Sequence, residues 1–149
     1  MKSFVVSLAL GLVLLMPALG AHAADRIGKV KIASGEVTIT RDGVEIAAES
    51  GTELFESDVI TTGANSAVGM TFSDNSRISL GPDSLLELEK YVQTGRKSDG
   101  FDLRIRHGSL RAASGEIAKT RPLAMRVLMP TTVLGVKGTE FAVRVGRSG

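Results

Sequence analysis

Asp102, His107 and Ser109 lie close together in the chain and have the types needed for nucleophilic catalysis. A serine hydroxyl is activated only when a histidine nitrogen lies within hydrogen-bond reach and an acid orients that histidine. Adjacency in sequence does not supply such geometry. Nothing around Ser109 resembles the sharp strand-to-helix turn that presents a nucleophilic serine. His107-Gly108 is read instead as the end of a strand. The chain has no cysteine, so a metal site would rest on His107 and carboxylates, and none stands at ligand spacing. Asp58, Asp74 and Asp83 could in principle pair as acid and base. Each falls at a strand end or turn, where aspartate serves local hydrogen bonds. Asp74-Asn75-Ser76 is too short a run for a calcium loop. The chain is therefore read as non-enzymatic, with no metal and no cofactor.

Arginines make the stronger case for a site. Arg104, Arg106, Arg111, Arg126 and Arg144 alternate with apolar residues, so several should project from one face of a sheet. Such a face could dock an anionic partner: a protein, an envelope polymer or lipid head groups. The plainer reading is a solvated face partly paired to Glu87 and Glu89. Charge along the chain is uneven. Residues 24–89 carry 5 basic and 12 acidic side chains, and residues 90–149 carry 12 and 4. The halves can neutralise each other across one fold or face different partners. Nucleic acid is a poor partner. With 5 Phe, 1 Tyr and no Trp, few rings remain for base stacking, and no recognition helix is visible.

The elements that must position these residues are short strands. Apolar residues recur with period two, punctuated by Gly, Asp, Asn and Ser. Val30 and Ile32 open the pattern. Val37–Arg41 and Val44–Ile46 flank Asp42-Gly43, a two-residue turn that sets Ile39 opposite Ile46 and Val37 opposite Ala48. Val68, Met70 and Phe72 precede Ile78 and Leu80. A three-residue loop, Asp74-Asn75-Ser76, would oppose Phe72 to Ile78 and Met70 to Leu80, with Asn75 left-handed. Leu86–Glu89 and Leu103–Arg106 can pair with Leu88 opposite Ile105, Glu87 facing Arg106 and Glu89 facing Arg104. Further strands are expected at Val59-Ile60, Leu110, Met125–Val127 and Phe141–Val145. Ala112–Arg121 reads as a loop or one helical turn. Pro82, Pro122 and Pro130 fall in connections. The fold class is all-β: a compact sandwich or short solenoid of many short, mainly antiparallel strands in one domain, residues 24–149.

Residues 1–23 stand apart. Lys2, the apolar run Phe4–Met16, Pro17 and Ala21-His22-Ala23 have the layout of a secretory signal peptide, cut between Ala23 and Ala24. The run is too short for a stable span, and no later stretch could cross a bilayer as a helix. The mature domain is expected outside the cytoplasm, without a membrane span.

The C-terminal segment Met129-Pro130-Thr131-Thr132-Val133-Leu134-Gly135-Val136-Lys137-Gly138-Thr139-Glu140-Phe141-Ala142-Val143 resembles the closing signature of the FecR domain, the periplasmic domain of ferric-citrate-type regulators. Gly35-Glu36-Val37, the stretch Asp58–Ala67, the turn Phe72–Ser76 and Gly108–Arg111 are similar to earlier segments of that family, so the likeness spans residues 27–145. Met129, Lys137 and Asn75 stand where the family usually has Thr, Arg and Gly. Gly135 and Gly138 are read as giving the connector backbone angles that a side chain would forbid. The resemblance implies a periplasmic module for protein recognition or signal sensing in the bacterial cell envelope, its envelope protein partner unidentified. The family's full regulators also carry a cytoplasmic arm that controls a sigma factor. Here only the exterior module is expected to carry over.

Overall fold

A computed structural model describes residues 24–138 and 140–147. The leader expected over residues 1–23, with its Ala23-Ala24 cut, lies outside the described residues apart from Ala24. Twelve strands and one helical turn follow in order: β1 (Arg26–Ser34), β2 (Val37–Arg41), β3 (Val44–Ala47), β4 (Glu53–Phe55), β5 (Val59–Thr62), β6 (Ala67–Phe72), β7 (Arg77–Leu80), β8 (Leu85–Val92), β9 (Gly100–Ala113), α1 (Ile117–Thr120), β10 (Met125–Leu128), β11 (Val133–Val136) and β12 (Glu140–Val145). The fold is all-β, a mainly antiparallel sheet curled into a half-barrel.

β9 is the spine. Its first part pairs with β8 and, in parallel, with β10; its second part pairs with β7 and β12. The expected strand end at His107-Gly108 is therefore a bend within β9, not a terminus. Gly108 adopts φ 101°, and a Cβ there would stand 2.5 Å from that of Ser84. Only glycine fits that backbone at that approach. Ser84 locks the bend: its Oγ accepts from Ser109 N–H (3.1 Å) and donates to the Gly81 carbonyl (2.9 Å).

Both parts of the sheet contribute to one core. Ile39, Ile60, Leu86, Leu88, Leu103 and Ile105 come from one part, and Val68, Met70, Phe72, Ile78, Leu80 and Leu110 from the other. Each such side chain, fully buried, contributes about 1.5–3 kcal/mol. Phe72, Tyr91 and Phe101 join the parts, the Phe101 ring 4.8 Å from each of the other two.

The first hairpin has the expected register. Ile39 opposes Ile46, Val37 O accepts from Ala48 N–H at 3.0 Å, and Asp42 and Gly43 take φ 50° and 78°. The second keeps the expected faces but shifts by two residues. Met70 opposes Ile78 and Val68 opposes Leu80, so the loop is Ser73-Asp74-Asn75. Asp74 forces the shift. Its buried carboxylate accepts from Ser76 N–H (3.1 Å), Ser76 Oγ (2.7 Å) and Ile117 N–H (3.2 Å), which draws Ser76 into the ladder opposite Phe72. Asn75 is left-handed as expected, φ 67°. The third pair is also offset by two: Leu88 opposes Leu103 and Leu86 opposes Ile105. Bulges at Leu85/Leu86 and Leu88/Lys90 set that register.

The other expected strands are present as β5, β9, β10 and β12, and α1 is the single helical turn within Ala112–Arg121. The connector before Phe141 contains an unexpected strand, β11, antiparallel to β10. Gly138 has the positive φ expected of it, 123°, but Gly135 does not. Gly135 is small because the Leu123 side chain lies against it.

Candidate functional site

The outer face of the sheet formed by β1, β6, β7, β9 and β12 is built from the positions that alternate with the core. One ladder row reads Ile32, Gly69, Ser79, Arg111, Ala142 across the five strands. The next holds Ala67, Ser109 and Arg144. Small side chains on β6 and β7, between Ile32 on one side and Arg111 and Arg144 on the other, leave an open trough of about 590 Å³. Ile32 stands at its rim with 66 % of its surface exposed. It does so because a bulge between Val30 and Ile32 breaks the β1 alternation, turning Val30 inward and Ile32 outward.

The five arginines divide between two environments. Arg104 pairs with Glu89 and lies 3.9 Å from Glu87; Arg106 donates to Glu87 at 3.1 Å. These are the partners expected from alternation, reached diagonally across the two-residue offset. Arg126 grips Asp102 with two bonds, 2.9 and 2.5 Å. The carboxylate bonds hold the Arg104 and Arg126 guanidinium groups still further above their already high range, so both stay charged. Arg111 and Arg144 form no ion pair among the described residues and line the trough.

The residues considered for catalysis do not converge. Asp102 is held by Arg126, and His107 Nδ1 lies 2.7 Å from the Asp83 carbonyl. Five residues of strand, about 17 Å, separate Asp102 from His107. Asp58 is fully buried and accepts from Arg41 Nε and Nη2, both at 2.8 Å, and from Phe55 N–H at 2.9 Å. Arg41 also lies over the Phe55 ring at 4.5 Å. Asp74 takes the Tyr91 hydroxyl as donor to Oδ1 (3.3 Å), and burial pushes that phenol well above its ordinary range. Every buried side-chain polar atom among the described residues has a hydrogen-bond partner. These groups hold the fold together.

The FecR protein family model matches residues 58–149. The chain belongs to the FecR family. That family is regulatory and works within envelope signalling. No curated protein and no solved structure matches the chain significantly. The match to the FecR model begins at Asp58 and takes in β5 to β12, hence most of the trough. Ile32, on β1, precedes it. No helix among the described residues of this FecR chain is long and apolar enough to cross a membrane.

The trough itself escaped sequence reasoning, although its signal was present. Positions alternating with Val68, Met70, Ile78 and Leu80 read Ala67, Gly69, Ser79 and Gly81. Four small residues on the outer side of two paired strands mark a depression.

Proposed function

We propose that this FecR-family chain is an exported periplasmic protein, without enzymatic activity, that senses or relays an envelope signal by docking a protein partner in the trough. The observation that carries this reading is the pairing of Ile32, an exposed apolar side chain, with two arginines that have no carboxylate partner among the described residues, across a floor of small residues. Shallow, mostly apolar surface with cations at the margin suits a segment of polypeptide carrying apolar and acidic side chains. An anionic polymer or lipid head group would instead need a continuous basic surface. Arg104, Arg106 and Arg126 are already neutralised by Glu87, Glu89 and Asp102, which favours the protein partner.

Export places the domain where such a partner would be met, with Ala24 as the first residue after the cut. In-cell crosslinking from Ser79, on the trough floor, tests the docking. A discrete protein adduct that disappears with Ile32→Glu and persists at high salt supports it. Salt-sensitive retention on wall or outer-membrane material, lost with Arg111→Glu and unchanged by Ile32→Glu, would establish the polyanion reading instead.

A further inference from the structure

β12 is an open edge. It pairs with β9 along one side, Phe141 opposite Ala112 and Val143 opposite Leu110, and among the described residues no strand pairs with its other side. Free backbone N–H and C=O groups on such an edge invite another strand. The side chains on its core-facing side, Phe141, Val143 and Val145, pack against the core but are not fully buried. Its outer side presents Glu140, Ala142 and Arg144, all exposed. Edge strands are commonly guarded by charge against chance pairing. Here the two charges are opposite in sign and four residues apart, with Ala142 midway between them.

We infer that β12 is a self-pairing edge, and that a second copy of this chain adds its own β12 antiparallel to it. A twofold axis perpendicular to the sheet keeps each face with its like only when the axis passes through a residue pair, so the choices are few. Centred on Ala142, Glu140 meets Arg144 of the second copy twice, and Phe141 meets Val143 of the second copy twice. Centred on Phe141 or Val143, neither charge meets its opposite. Centred on Glu140 or Arg144, like charges collide. One register alone satisfies charge and apolar contact together. The dimer would continue the half-barrel into a longer sheet and cover what remains exposed of Phe141 and Val143. A six-residue edge is a small interface, so the association is concentration-dependent. It shares Arg144 with the rim of the trough, whereas Ile32 and Arg111 lie on the sheet face away from this edge, so loss of docking with Ile32→Glu and loss of self-association with Glu140→Arg are separate outcomes.

The chain has no cysteine, so a single introduced thiol reports the register without background. In the full chain as expressed, Ala142→Cys places two thiols at the axis, and mild oxidation should give a covalent dimer. Glu140→Cys alone should not, because its copies lie about 14 Å apart along the strands. Mixing Glu140→Cys with Arg144→Cys should give the dimer again. By sedimentation, Glu140→Arg should weaken self-association about tenfold, and adding Arg144→Glu should restore it. No Ala142→Cys dimer, equal crosslinking from Glu140→Cys alone, or failure of the charge swap to rescue would each overturn the assignment.

Discussion

Asp58 shows how a turn aspartate becomes a structural anchor. Turn preference in the sequence led to a local hydrogen-bonding role, and its bond from Phe55 N–H is of that kind. The larger part came from Arg41, 17 positions earlier in the chain. No local pattern announces that pairing, because it depends on β2 and β5 lying side by side. Asp58→Ala should lower the unfolding free energy by about 3 kcal/mol, read from denaturant melts, with Arg41→Ala costing at least as much because it leaves the fully buried Asp58 carboxylate without its charged partner. Asp99 behaves differently with pH. Hydrogen bonds from the Thr94 hydroxyl and from the Thr94 and Gly95 N–H groups hold its carboxyl below the usual range. A carboxylate whose folded pKa lies below its unfolded value stabilises the fold above the unfolded value, about 3.9. That contribution fades as pH falls through the lower folded value. The melting-temperature gap between the native chain and Asp99→Asn should therefore be full at neutral pH and close in acid.

Strand existence was legible in the elements, and strand register only in part. The Asp42-Gly43 hairpin was readable to the residue because its turn chemistry and its apolar faces allow one register. At β6–β7 and β8–β9 the faces were right and the offset was two residues. Alternation repeats every two residues, so it cannot distinguish registers that differ by two. Asp74 decides the first case and bulges decide the second, and neither is a periodic signal. The ion pairs of Arg104 and Arg106 survived the offset because arginine reaches a diagonal neighbour. β4 is three residues long, and β11, with Gly135 within it and Val133 and Leu134 exposed, lacks alternation. Both were hidden for that reason. The bend in β9 is the element on which the half-barrel turns. Gly108→Ala must accept a strained φ and displace Ser84, so it should cost at least about 2 kcal/mol. Far-ultraviolet circular dichroism on thermal melts would show the loss, whereas Gly43→Asn, in an open left-handed turn, should be nearly silent.

Across the whole molecule, the acidic first half and basic second half meet at the β8–β9 seam, where Glu87 and Glu89 face Arg104 and Arg106. The sequence left two outcomes open, mutual neutralisation or opposite faces, and this seam takes the first. Neutralisation there leaves Arg111 and Arg144, at the trough, among the cations that form no ion pair within the described residues. If export proceeds as the leader's layout implies, the protein recovered from the periplasm should begin Ala24-Asp25-Arg26 by N-terminal sequencing.

The docking claim is tested most directly by photocrosslinking in living cells from Ser79 in the trough, beside Glu45 on β3 as an exposed position elsewhere. One envelope protein should be captured from Ser79, not from Glu45, and lost when Ile32→Glu is added without change in melting temperature. Equal capture from both positions, or capture from Ser79 that ignores Ile32→Glu, would contradict it.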